Sequence, residues 1–233
     1  GMPNHPVYTQ SGQHYFAQGG WGNAVAMARE GETANFDNRN INTNFKLVGT
    51  ILPGLRVNLQ TGINYGYARN KDIANSFPLY NWDESSIVYY SIANPDQTWV
   101  SLYNAENTYR NFTGYVEFNR TFAGQHQLDI MAGASQEEND FDWFSAFRNN
   151  FANDEVWSIN LGSTANMSND GGGSHWAIRS FFSRIGYVFA NKYMLEANLR
   201  YDGSSRFHPD TRWGLFPGIS AGWRVSEEKF IRG

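Results

Sequence analysis

Apolar and polar residues alternate with a period of two over long stretches of this chain, the repeat of a β-strand, whose side chains point in turn to opposite faces. From Leu55 to Tyr67 the odd positions carry Leu55, Val57, Leu59, Thr61, Ile63, Tyr65 and Tyr67, while the even ones carry Arg56, Asn58, Gln60, Gly62, Asn64 and Gly66. Ile41, Phe45, Leu47 and Ile51 likewise alternate with Asn42, Asn44, Lys46 and Thr50. The rhythm returns with Phe112, Val116, Phe118 and Phe122, with Leu128, Ile130, Ala132 and Ala134, and with Tyr193, Leu195, Ala197, Leu199 and Tyr201. Seven strands follow from it, near 37–51, 55–69, 108–122, 126–141, 175–189, 193–206 and 212–225. These exceed the five or six residues usual in soluble domains and suffice for the roughly 9 to 11 needed to cross a bilayer at a tilt.

The strands pair as hairpins across Leu52-Pro53-Gly54, Ala123-Gly124-Gln125 and Ala190-Asn191-Lys192. Keeping the apolar residues on one face across each turn pairs Ile51 with Leu55, Phe122 with His126 and Phe189 with Tyr193. Each loop then has three residues, and only the first has Gly in the third position, where a left-handed residue is wanted. Between the tight turns run long polar stretches, roughly 70 to 107 and 142 to 174, with a shorter one near 203 to 212, all expected as loops. Short turns at one end and long loops at the other are the layout of an outer-membrane barrel. The expected fold is therefore all-β, an antiparallel up-and-down meander of long transmembrane hairpins forming part of an outer-membrane β-barrel. Phe118, Phe122, Tyr187, Phe189 and Tyr193, near the tight turns, suit an aromatic girdle at one interface.

Composition sharpens this picture. Aromatics supply 16% of residues and charged residues only 17%, against roughly a quarter in an ordinary soluble domain. A net charge of −4 offers no electrostatic footprint for nucleic acid or for anionic lipid, which would need clustered Lys and Arg. The chain lacks Cys, so it has neither disulfides nor thiolate metal sites. Mean hydropathy is −0.55 and no apolar run is long enough for a transmembrane helix, a test to which barrel strands are nearly invisible. Residues 1–36 read as a poorly defined loop and strand region, with Gly1 ahead of Met2 expected to be a tag-cleavage scar, and residues 37–233 as a partial barrel.

Catalytic chemistry finds no support. Gly218-Ile219-Ser220-Ala221-Gly222 matches the pattern of a nucleophile elbow, but Ser220 falls within an alternating strand, and no His follows His208 to act as its base. His5, His14, His126, His175 and His208 show no metal-ligand spacing. The acidic runs at Glu137-Glu138-Asn139-Asp140-Phe141-Asp142 and Asn153-Asp154-Glu155 depart from the Ca²⁺-loop pattern and read as solvated loop. Neither a cofactor nor a metal is expected.

The candidate functional surface is the polar face. Lys46, Arg56, Asn58, Glu117, Asp129, Arg184, Glu196, Arg200 and Arg224 fall opposite the apolar residues, where a barrel would place them toward its lumen. Parity sets Arg184 beside Asn198 and diagonal to Glu196 and Arg200, a candidate charge ladder. Tyr80, Trp82, Trp99, Trp143 and Trp157, expected in the long loops, are candidates for ligand or partner contact, with loop packing the alternative.

Toward the C-terminus the residues become family-specific. Asn198-Leu199-Arg200-Tyr201-Asp202-Gly203-Ser204-Ser205-Arg206-Phe207, then Arg212-Trp213-Gly214-Leu215-Phe216-Pro217-Gly218-Ile219-Ser220-Ala221-Gly222-Trp223-Arg224, then Ser226-Glu227-Glu228, resemble the corresponding stretch of SusC/RagA-type TonB-dependent transporters, with Gly218 where the family usually has Ser. Tyr187-Val188-Phe189 with Asn191-Lys192-Tyr193, and Pro53-Gly54-Leu55, resemble turns of the same family, so the resemblance spans residues 37 to 229. It implies a plugged barrel in the outer membrane of a Gram-negative bacterium that imports oligosaccharides or peptides. It also implies partnership with the TonB complex, a SusD-type surface lipoprotein and outer-membrane lipid. Seven strands are too few to close such a barrel, so the expectation is a wall segment that is inactive alone and either oligomeric or dependent on detergent. The rival reading is a soluble β-sandwich that binds carbohydrate through its loop aromatics. An exposed band of Leu47, Leu59, Phe118, Ile130, Leu195 and Ile219 would separate the two, because a sandwich must cover that face.

Overall fold

The computed structural model describes residues 5–17, 22–91, 98–152 and 155–231. Seven long strands form one sheet: β1 (Thr33–Leu52), β2 (Leu55–Ala74), β5 (Trp99–Phe122), β6 (His126–Asn149), β7 (Ser168–Phe189), β8 (Tyr193–Ser204) and β9 (Trp213–Trp223). Their order in the sheet is their order in the chain, an antiparallel meander interrupted only by a separate two-stranded sheet, β3 (Pro78–Tyr80) with β4 (Ile87–Tyr90). Strands reach 24 residues in β5 and β6. Much of the stretches expected as long loops is therefore strand. Apolar/polar alternation reports only the part of a strand whose two faces meet different surroundings, and it fades where both faces meet water.

The chain divides into two compact units whose boundaries fall within the long strands. The first comprises Gly1–Arg39, Tyr67–Glu106 and Asp142–Gly172. Its small core gathers Ala17, Ala26, Phe77 and Leu79, with Tyr15 and Tyr89 against them. A short helix, α1 (Ala24–Glu30), is started by Asn23, whose side chain accepts from the Ala26 amide at 3.1 Å and donates to the carbonyls of Val7 at 2.6 Å and Phe16 at 3.1 Å. Phe16 forms a parallel bridge with Tyr80. The described residues before 37 thus include a helix and a small core, and β1 begins earlier than expected, at Thr33.

The second unit, Asn40–Gly66, Asn107–Phe141 and Gly173–Gly233, holds the three tight turns. Phe189 pairs with Tyr193 and Arg184 with Asn198, so parity holds across the last turn. The geometry of the two later turns differs from the expected one. Ala123 and Gly124 have φ of 48° and 68°, Ala190 and Asn191 have φ of 50° and 58°, and the loops close through Gln125 N to Phe122 O at 3.2 Å and Lys192 N to Phe189 O at 2.9 Å. Two successive left-handed residues make a type I′-like turn, whose twist matches that of the flanking strands, so the third position needs no Gly. At the first turn Gly54 has φ 88°, and a Cβ there would stand 2.4 Å from the Asn119 carbonyl oxygen.

Each turn also bonds to the chain that comes next beside it in the sheet. The carbonyl of Gly54 accepts from Asn119 N, that of Gln125 from Ala190 N and that of Lys192 from Arg224 N, all at 2.8 Å.

Candidate functional site

In the second unit the apolar residues of successive strands share one face, and that face lies open. Leu47, Leu59, Ile130, Leu195 and Ile219 are exposed, Ile219 at 81%, with Phe118 half-buried among them. Ile41, Phe45, Ile51, Ile63, Phe112, Val116, Ile185, Leu199 and Leu215 extend the same surface. A soluble domain rarely leaves so much contiguous apolar area in water. No second sheet covers it among the described residues, which contradicts the sandwich reading.

Aromatic belts border this band at both ends. At the tight-turn end His126 and Tyr187 share a hydrogen bond of 2.6 Å, and ring contacts run on from His126 to Phe189 at 4.9 Å, to Tyr193 at 6.3 Å and to Trp223 at 6.5 Å. The far belt is Phe181, Trp213 and Tyr201, with Trp213 6.2 Å from Phe181 and 4.8 Å from Tyr201. Trp213 and Trp223 are the end residues of β9. Ten residues at about 3.3 Å each, tilted by about 40°, rise about 25 Å, the height of the apolar band of an outer-membrane barrel. The sequence pointed to the first belt but missed the second. Its three members stand on separate strands, and only the pairing of Tyr201 with Leu215 and of Gly203 with Trp213 brings the rings together.

The tight-turn belt is tied down just beyond β9. Glu228 accepts from Tyr193 OH at 2.7 Å, from Trp223 Nε1 at 3.2 Å and from Lys192 Nζ at 2.9 Å. These three donors, Lys192 foremost, lower the pKa of its carboxyl from 4.5 to about 2.

On the polar face Arg56, Asn58 and Glu117 satisfy one another, and most of the other candidates bond to neighbouring polar residues. Arg56 and Asn58 both reach Glu117, at 3.2 Å each, with Asn58 buried. Asp129 accepts from Asn119, and Glu196 accepts from Asn198 at 3.0 Å. Arg200 pairs with Asp202 at 2.9 Å and donates to Ser180 at 3.0 Å. The expected charge ladder does not form. Arg184 lies opposite Asn198, but Arg200 turns along its own strand to Asp202, and no ion pair links Arg184 to Glu196 among the described residues. Arg184 and Lys46 are exposed. Arg224 departs from the expectation too: β9 ends at Trp223, and Arg224 donates to the Asn191 side chain at the neighbouring turn, at 2.8 Å.

The candidate aromatics lie in the first unit, engaged with other rings. Tyr80, on β3, stacks on His14 at 4.4 Å, and Trp82, in the β3–β4 turn, meets Phe16 edge-on at 5.8 Å. Trp99 and Trp143 stand on β5 and β6 and not in loops, packed against Phe147 at 6.0 Å and Tyr103 at 5.9 Å. Trp157 contacts Phe151 at 5.3 Å, and its carbonyl accepts from Lys71 Nζ at 2.5 Å. Two aromatic residues of the polar face were missed: Trp176 lies 6.3 Å from Tyr109 and carries the Arg206 guanidinium 4.8 Å above its ring.

A single antiparallel meander with a polar face, and an opposite apolar band held between two aromatic belts, is the wall of a transmembrane β-barrel. No protein-family model matches the chain. It is 32% identical over 199 residues to the TonB-dependent receptor P39 of Formosa agariphila, covering 84% of this chain and 18% of the relative. It is 24% identical over 262 residues to the TonB-dependent receptor SusC of Bacteroides thetaiotaomicron, covering 99% of this chain and 24% of that protein. The RagAB peptide importer shares the fold. Its open-open state aligns with a TM-score of 0.78 at 20% identity over 94% of this chain and 23% of the other, and its closed-closed state with 0.76 at 21% over 87% and 21%. The chain resembles a segment of the SusC/RagA-type TonB-dependent receptors, and it spans about a fifth of the length of the curated relatives it matches.

Proposed function

We propose that this chain forms part of the wall of a TonB-dependent nutrient importer in the outer membrane of a Gram-negative bacterium. The exposed apolar band between two aromatic belts carries the reading, because it matches the lipid-facing surface of such a barrel in chemistry and height. The opposite face, with Lys46, Arg56, Asn58, Glu117, Asp129, Arg184, Glu196 and Arg200, lines the lumen. The cargo is an oligosaccharide or a peptide, the energy comes through the TonB complex, and a SusD-type lipoprotein works with the barrel at the cell surface. The similarity to SusC and to the RagAB peptide importer supports these assignments. The segment has no transport activity alone, since its outer strands β1 and β9 each need a further partner strand to close a barrel.

Two experiments test this. Sedimentation should find the chain folded and monodisperse with detergent or lipid, and associated without them; a folded monomer in plain buffer would refute the membrane reading. Disrupting the encoding frame in its bacterium should abolish growth on one oligosaccharide or peptide source and leave growth on simple sugars and amino acids intact. Unchanged growth on every such source would refute the uptake role.

A further inference from the structure

Immediately beyond the far aromatic belt, on the same side of the sheet, the second unit has a concavity of about 230 Å³ lined by Gln136, Arg179, Ser205, Arg212 and Trp213 with the backbone around Gly203. Two arginines line it, and neither has a carboxylate partner among the described residues. Arg179 donates through Nε and Nη2 to the side-chain oxygen of Gln136, a neutral acceptor, at 3.2 and 2.9 Å. The Nε of Arg212 is buried without an acceptor among the described residues. Two positive charges around one hollow, neither paired with a carboxylate, favour an anion. The floor is aromatic. A Cβ on Gly203 would stand 2.6 Å from the Trp213 ring, so the glycine lets the indole lie flat across the strand between Tyr201 and Phe181.

We propose that this hollow binds the phosphate headgroup of an outer-leaflet lipid. The proposal rests on the membrane reading above. What selects a lipid over a free anion is continuity: the hollow opens at the rim of the apolar band, and a chain attached to the bound phosphate would descend past Phe181 and Tyr201 onto Ile185, Leu199 and Leu215, all exposed. Arg179 and Arg212 would clamp the phosphate oxygens in the planar, two-donor manner that suits guanidinium, with the Ser205 hydroxyl at the same wall. The hollow also gives a role to residues singled out in the sequence, since Gly203, Ser205, Arg212 and Trp213 all belong to the family-like C-terminal blocks. An interfacial cation with a phosphate partner anchors the strand ends at a fixed depth, as headgroup-level charges do.

The test uses the full chain folded in uncharged detergent micelles, titrated with lipid A, with dephosphorylated lipid A and with inorganic phosphate, and followed by isothermal calorimetry. Phosphorylated lipid should bind best. R179Q/R212Q should weaken that binding by roughly tenfold or more, the scale of losing charge-assisted bonds, while leaving binding of the dephosphorylated lipid unchanged. R179K/R212K should retain the preference for phosphorylated lipid, which guards against misreading a folding defect. Equal binding of both lipids, an unaltered affinity in R179Q/R212Q, or loss of the preference in the lysine variant would overturn the proposal. So would inorganic phosphate binding as tightly as the lipid, which would make the hollow a plain anion site. Failure of the membrane reading would look different, as a chain that needs no detergent to fold as a monomer.

Discussion

The tight turns concentrate their strain in single residues. Ala190 and Ala123 hold φ of 50° and 48°, a left-handed conformation that costs an L-residue with a Cβ about 1 kcal/mol or more. Ala190→Gly removes that penalty at the expense of some unfolded-state entropy, and should raise stability by about 0.5 to 1 kcal/mol, read from urea unfolding in micelles. Gly54→Ala should have the opposite sign and be larger, a loss of about 2 kcal/mol or more in the same assay, because it adds a steric clash with the Asn119 carbonyl to an unfavourable φ. Glu228 sets a pH dependence. Its carboxyl titrates near 2 in the folded chain against 4.5 ordinarily, so folding is the state that favours its charge. Its contribution is complete above about pH 4.5 and is lost as pH falls toward 2. Glu228→Gln should flatten the stability profile in that acid window and leave its shape above pH 5 unchanged, as acid titration followed by tryptophan fluorescence would report.

At the scale of elements, the two faces of a strand should respond oppositely to charge. Ile219 and Ala197 face each other in the apolar band, while Gly218 and Asn198, one residue along, lie on the polar face. Ile219→Arg should cost about 2 to 4 kcal/mol of stability in lipid bilayers, and Asn198→Arg under about 1 kcal/mol, measured by refolding into vesicles across a urea series. Equal costs would mean that the two faces do not meet different solvents. This two-facedness was legible in the sequence, because period-two alternation encodes it one residue at a time and hairpin parity carries it across turns. The distal halves of β5, β6 and β7 were not legible, since polar residues on both faces erase the period. Trp99 and Trp143 were read as loop residues for the same reason. The far aromatic belt, and the hollow above it, depend on cross-strand register between β7, β8 and β9, which no local pattern specifies.

For the molecule as a whole, the belts predict a depth. Lipids brominated near the headgroup should quench the fluorescence contributed by Trp213 and Trp223, obtained by difference against W213F and W223F, more strongly than lipids brominated near the chain ends. Stronger quenching from the chain ends would put these rings in the bilayer centre and break the correspondence between belts and interfaces. Among the polar-face candidates, the partnerships come from the fold and not from the pattern. Glu117 gathers Arg56 and Asn58 from the neighbouring strand, whereas Arg200 leaves the expected ladder for Asp202.

The bonds from each turn to the chain beside it also bear on how the sheet is assembled. Gly54, Gln125 and Lys192 each present a carbonyl whose amide donor lies later in the chain, in Asn119, Ala190 and Arg224. Each of these bonds spans two hairpin elements that are not joined by the turn itself, so it forms only when neighbouring elements lie side by side. Protection of the Asn119, Ala190 and Arg224 amides against hydrogen exchange would therefore report completion of the sheet, where protection within a strand pair reports a single hairpin.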